Sequence, residues 1–168
     1  STILEMCQKA VELGIVEIGF SEHMDFEPKD SGFGFFNYER YSHEIKSAQK
    51  LFRYRLAIRK GVEIDYQHCF EDDIRVWLEN KSFDFIIGSV HYVEHEYVDH
   101  RLVARKDLKE VYQAYFDEVA RSIESGLFNV VGHFDLIRQY VANSSSELRG
   151  FDYWERVKSI LEGISGGK

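Results

Sequence analysis

Apolar positions along the chain switch between helical and strand spacing. Ile3, Leu4, Cys7, Ala10 and Val11 recur at helical intervals, which predicts a helix over 3–13 that Gly14 stops. "IVEIGF" (15–20) reads as a strand, and 22–37 as a loop holding the only proline, Pro28. Tyr41, Ile45, Ala48 and Phe52 share one face of a helix over 38–53. "LAIRKGVEIDY" (56–66) contains a second strand, strongest at 61–65, and 71–79 form a short helix with Ile74, Trp77 and Leu78. "DFIIGSVH" (84–91) is a third strand, followed by a polar loop through about residue 106. "DLKEVYQAYFDEVARSIESG" is the clearest helix. Asp107 and Glu110 fit a capping box, Gly126 fits the stop, and positions 108, 111, 112, 115, 116, 119, 120 and 123 form one apolar stripe. "LFNVVGHF" (127–134) is a fourth strand, "NSSSEL" (143–148) a loop, and 151–162 a final helix.

The order is α-β-α-β-α-β-α-β-α. Short apolar strands separated by helices predict an α/β fold with a parallel sheet and helices outside it. No internal repeat or second domain interrupts the pattern, so 1–168 is expected to form one domain. A closed α/β barrel needs seven or eight strands and ~250 residues. Four strands therefore mean an open sheet or part of a barrel. The chain starts inside a helical pattern without a methionine and stops just after another, which fits a piece of a larger barrel.

The formal net charge of −8 argues against binding to nucleic-acid backbones. It leaves an anionic substrate open, because bound metal ions reverse the local field. No apolar run approaches the ~20 residues needed to span a bilayer, so no membrane role is expected. No signal peptide opens the chain. Cys7 and Cys69 lack CxxC spacing, which points to free thiols and a cytoplasmic location.

Four strand ends carry the chemistry. "GFSEH" leads to Glu22 and His23, "GVEIDY" holds Glu63 and Asp65, "GSVH" ends on His91, and "VVGHFD" holds His133 and Asp135. Strands of a parallel sheet end at one edge, and ligands bind there. A single histidine at such a place is ordinarily a satisfied polar residue. Four strands ending this way predict a mixed nitrogen and oxygen site for zinc, manganese or iron. Glu63 is the most informative member. Val62 and Ile64 flank it, so its side chain projects to the opposite face from theirs and needs a positive partner. The competing reading is an ion pair with Arg59 or Lys60. "HYVEH" puts His91 and His95 four apart, but the order of a helical HExxH zinc site is absent. His43 falls mid-helix, and His68 follows the second strand. His100, Arg101 and Arg105 make a locally basic loop, either a solvated surface or a contact to an anionic substrate. No GxGxxG, Walker A or GxSxG motif is present. Ser89 is expected to donate a hydrogen bond near the site.

"GFSEH", "GVEIDY", "DFIIGSVH" and "VVGHFDLIR", in this order, resemble the polymerase and histidinol phosphatase (PHP) family, in its histidinol-phosphatase branch. The resemblance covers essentially the whole chain. It implies part of a TIM-like seven-stranded (β/α) barrel with a site for up to three divalent metals, zinc, manganese or iron. It further implies that Glu63 bridges two metals, that His91 and His133 complete one site, and that His23 binds a third ion. Arg138, in "GHFDLIR", is implied as a phosphate contact, with Ser89, Arg101 and Arg105 as further substrate-side candidates. The catalytic set expected is Glu63, His91 and Arg138. The family's His-x-His strand and its final Asp-x-His strand are not found here. The implied activity is hydrolysis of a small phosphorylated substrate, with L-histidinol phosphate as the first candidate. Another phosphoester, such as a phosphotyrosine peptide, and an inactive metal-binding fragment stand as alternatives. Open sheet edges invite pairing with a second copy.

Overall fold

The structure, a computed structural model, describes residues 1–141 and 153–166. The expected loop at 143–148 lies outside them. Helices α1 (Ile3–Glu12) and α2 (Tyr38–Phe52) flank strand β1 (Glu17–Met24), and strand β2 (Ala57–Asp65) follows. A 3-10 turn at His68–Phe70 leads into α3 (Glu71–Leu78) and strand β3 (Phe85–Ser89). A small hairpin, β4 (Tyr92–Val93) with β5 (Glu96–Tyr97), precedes α4 (His100–Arg105) and the long α5 (Leu108–Glu124). The described part closes with β6 (Val130–Val131), α6 (Arg138–Val141) and α7 (Tyr153–Gly166).

Strands β1, β2, β3 and β6 form one parallel sheet in chain order. The α/β architecture is the expected one. Its two faces differ in kind. Phe20, Ile58, Val62 and Ile64 are buried under helices, with Val62 and Ile64 at 0% exposure. The other face carries His23, Glu63 and Ile87, aligned across three strands by the register His23↔Glu63↔Ile87. Among the described residues the helices cover the Val62 and Ile64 face, as on the outside of a barrel wall.

Close approach fixes part of this register. The ring of Phe85 lies where Cβ atoms of Gly19 and Gly61 would stand, at 2.9 and 2.3 Å. Only glycine at both positions, one on β1 and one on β2, admits the ring where it lies. Tyr41 adds a second tie, its one hydroxyl proton shared between the carbonyls of Phe20 (2.8 Å) and Gly61 (3.0 Å).

Of the capping box expected at α5, the Asp107 half forms, accepting the backbone N–H groups of Lys109 and Glu110. Thr2 and Glu5 close a capping box on α1, and Asn37 and Asp107 accept backbone N–H groups at the starts of α2 and α5. Gly126 turns the chain out of α5 at φ 66°, in the left-handed region. The apolar stripe of α5 is buried from Leu108 to Val119, packed with Val90, Val157 and Ile160.

Several expectations need correction. The first strand does not stop at residue 20 but runs to Met24, because pairing with β2 holds its polar end extended. The third strand ends at Ser89, so His91 lies just beyond it. The fourth strand shrinks to two residues, since only Val130 and Val131 find partners on β3. The segment up to residue 106 is not a plain loop. The hairpin turns at Glu94 (φ 51°) and His95 (φ 62°), and Asp99 caps α4. Arg101 and Arg105 are therefore helical residues, and Arg105 is ion-paired with Glu96.

Candidate metal centre

Beta alternation puts Glu63 on the open face, and its partners converge there from other strands. Its Oε1 accepts a hydrogen bond from the Ser89 hydroxyl at 2.6 Å. The same oxygen lies 3.3 Å from His133 Nε2 and 3.8 Å from His91 Nε2, while Oε2 lies 3.7 Å from His23 Nε2. The two cations that could have claimed Glu63 are engaged elsewhere. Arg59 pairs with Glu17 at 2.8 Å, and Lys60 donates to Tyr38 and Ser42.

The Nε2 atoms of His91 and His133 face each other at 3.1 Å. Three donor atoms thus stand 3.1, 3.3 and 3.8 Å apart. A tetrahedral ion with bonds of ~2.1 Å needs its ligand atoms ~3.4 Å apart. The donor set fits such an ion in spacing and chemistry. A second grouping, His23, Asp25 and His91, places its ligand atoms within 4.8 Å of one another.

His91 is held by a buried neighbour. Asp65, at 0% exposure, accepts from the His91 backbone N–H at 2.9 Å and lies 3.3 Å from its Nδ1. That contact leaves Nε2 to face Glu63 and His133, the usual way a carboxylate orients a ligating imidazole. Burial pulls the His91 pKa down, but the hydrogen bond and charge of Asp65 outweigh it and the net direction is up. The His133 contact, opposed by burial and helped by Ser89, holds Glu63 down at about 2, so it is an anion at neutral pH. Burial, reinforced by Asp30, raises Asp25.

A cavity of about 520 Å³ opens beside these groups, lined among others by His23, Asp25, Lys29, His91, Tyr92 and Tyr97. Close to the lining residue Lys29 in sequence, Glu27 is buried and contacts His95 Nδ1 at 2.8 Å. His95 therefore serves the loop over 25–37 and leaves His91 to the centre.

Of the residues expected from sequence, His23, Glu63, Ser89, His91 and His133 come together. Glu22 does not, because it aligns with Val62 and so shares the helix-side face. Arg138 is exposed at the start of α6, 3.5 Å from Asp135. Arg101 and Arg105 ride on α4, and Lys29 is the cation on the cavity wall. Asp25 escaped notice in the sequence. The one available signal was its place two residues after His23, which keeps it in strand phase with that histidine.

A parallel barrel wall with imidazoles and carboxylates gathered at its strand ends defines an α/β site suited to divalent metal ions. The PHP domain family model matches residues 1–167, and the chain belongs to that family. It is 29% identical over 178 residues to the histidinol-phosphatase of Bacillus subtilis (strain 168), covering 89% of this chain and 66% of that protein. Across three curated relatives the chain spans only 55 to 66% of their length. The Lactococcus lactis histidinol phosphate phosphatase, solved with zinc, L-histidinol and phosphate, superposes with a TM-score of 0.71 at 25% identity. That match covers 91% of this chain and 62% of the other. A Listeria monocytogenes structure gives a TM-score of 0.79 at 22% identity, covering 98% and 72%, a likeness of fold.

Proposed function

We propose that this chain carries part of a metal-dependent phosphomonoesterase that converts L-histidinol phosphate and water to L-histidinol and phosphate. Residues 1–168 act in it as one partial PHP-type barrel domain. The observation that carries the reading is the 3.1 Å approach of two Nε2 atoms beside an ionised Glu63, in a chain similar to histidinol-phosphatases. Glu63, His91 and His133 would hold one divalent ion, and His23 offers a further ligand. When bound, such ions neutralise phosphate charge and acidify water for attack at phosphorus.

The protein's own groups do the arranging. Ser89 fixes the Glu63 carboxylate, and Asp65 fixes the tautomer and tilt of His91. Lys29 on the cavity wall brings positive charge toward an incoming phosphate, with Arg138, Arg101 and Arg105 as outer candidates. Tyr92 and Tyr97 offer aromatic surface to the organic part of the substrate. A cytoplasmic location accords with two free cysteines and with no described helix long and apolar enough to cross a membrane.

The test is phosphate release from L-histidinol phosphate by the purified chain loaded in turn with zinc, manganese and iron. Release that needs metal supports the reading. Bound metal without release from this substrate, but with release from a phosphotyrosine peptide, moves the activity to another phosphoester. Bound metal without release from either refutes catalysis by this chain. A second reading rests on β1, which has one strand neighbour among the described residues and offers eight residues of free edge. Pairing of two copies along it predicts a dimer mass in light scattering.

A further inference from the structure

Between β1 and α2 the chain passes the cavity as a strap with firm ends and a lightly held middle. Phe26 packs on Phe70 and Trp77, and Phe36 packs on Tyr41 and Trp77, at centroid distances of 5.6 to 6.5 Å. Between these anchors Phe33 and Phe35 are exposed, at 50% and 76%. The backbone bonds of 27–35 are local turns, from the Asp30 N–H to the Glu27 carbonyl, from Phe33 to Asp30 and from Phe35 to Gly32. Gly34 lies in the left-handed region at φ 78°. Among the described residues, the hydrogen bonds that leave this stretch are two. The Tyr92 hydroxyl donates to Asp30 Oδ2 at 2.8 Å, and His95 Nδ1 meets Glu27 Oε2 at 2.8 Å. Both reach across from the β4–β5 hairpin.

The hairpin is the fixed side. Val93 and Val98 are buried in the core that α5 helps to form, and Lys106 pairs with Glu94 at 3.1 Å and Glu96 at 2.7 Å. The cavity lies between the two sides, with Lys29, Asp30, Ser31 and Gly32 on one and Tyr92 and Tyr97 on the other. A segment of local turns held by two side-chain contacts opens at a lower free energy than the sheet beside it. We infer that Tyr92 and His95 are positioning residues, which clasp 27–35 shut as a lid over the cavity and so hold Lys29 at its wall to meet phosphate. The inference rests on the phosphatase reading proposed above. Tyr92 directly follows His91, so the clasp ties the lid to the strand end that carries a candidate ligand. Closure brings the Lys29 ammonium to the phosphate and keeps water out, and release of both contacts lets product leave.

The experiment uses the full chain. Hydrogen exchange of the Lys29, Asp30, Gly32, Phe33 and Phe35 amides reports the lid, because each has an acceptor within 27–35. Tyr92→Phe keeps the ring and removes one contact. His95→Asn suits the left-handed φ of 62° and shortens the reach to Glu27. Each should speed exchange of these amides about tenfold or more and leave the β2 amides unchanged. Calorimetry then measures inorganic phosphate binding to the manganese-loaded chain. Tyr92→Phe should weaken it about fivefold or more, and Lys29→Ala at least as much. The double variant should bind no more weakly than Lys29→Ala alone, because both changes withdraw the same ammonium. If Tyr92→Phe does not fold, His95→Asn combined with Lys29→Ala makes the same comparison. Unchanged exchange in the folded variants overturns the inference. So does an additive loss in the double variant, or faster exchange with phosphate affinity unchanged. In those three cases wild-type phosphate binding leaves the proposed function standing. A manganese-loaded wild-type chain that binds no phosphate overturns both.

Discussion

Replacing Ser89 by alanine removes one oxygen from a fully buried position and leaves the backbone of β3 intact. In the native chain that hydroxyl donates to Glu63 at 2.6 Å, and Ser89 is 0% exposed, so no water replaces it. A hydrogen bond to a charged group contributes about 1.5–3 kcal/mol. At about 1.4 kcal/mol per decade, that corresponds to roughly 12- to 150-fold in an equilibrium constant. Part of the loss falls on the folded chain, which must keep Glu63 ionised with one donor fewer. The rest falls on metal binding, because the carboxylate no longer arrives oriented. Loss of a group that supports a metal ligand weakens affinity about 10- to 100-fold. Ser89→Ala should therefore bind Zn²⁺ about 10- to 100-fold more weakly in competition with a chromophoric chelator, with an unchanged circular dichroism spectrum. A folded variant within threefold of wild type would refute the claim that Ser89 orients Glu63.

Asp65→Asn keeps an oxygen for the His91 backbone N–H but removes the charge beside Nδ1. In the metal-free chain, His91 should titrate at lower pH by NMR, and metal affinity should fall about tenfold or more. Glu63 is depressed from 4.5 to about 2, so its stabilising contribution is complete above pH 4.5 and lost as pH falls through 2. The difference in unfolding free energy between metal-free wild type and Glu63→Gln should shrink across that window, and a constant difference would contradict it. Tyr41→Phe removes a buried hydroxyl proton shared between two carbonyls of the sheet and should cost about 1–2 kcal/mol, read as a melting point lower by about 2–8 °C.

The sheet and the convergence of the candidate ligands were legible in the chain because both follow a period of two. Val62, Glu63 and Ile64 state which face Glu63 must take, and Val62 and Ile64 are indeed buried opposite it. Convergence of His23, Glu63, His91 and His133 follows from parallel strands sharing one edge. What escaped depends on contacts distant in sequence. Glu118 sits buried on α5, off the apolar stripe, because His68 and Arg121 satisfy it. Asp25 is buried by the loop that folds back through Gly32, and no local pattern announces that closure. The hairpin at 92–97 has strands of two residues each, too short for periodicity to register.

Phe85 seated across Gly19 and Gly61 also bears on how such a site can change. The groups that set strand alignment lie at the floor of the sheet, and the candidate metal ligands lie at its mouth. Substitutions at positions 23, 63 or 91 can alter chemistry without disturbing the alignment that aims those positions. A bulky residue at 19 or 61 would do the reverse. It would leave every candidate ligand in the sequence and scatter them in space. Inherited variation in this chain thus has two independent dials, and loss of the floor would silence the centre while its motif still read as intact.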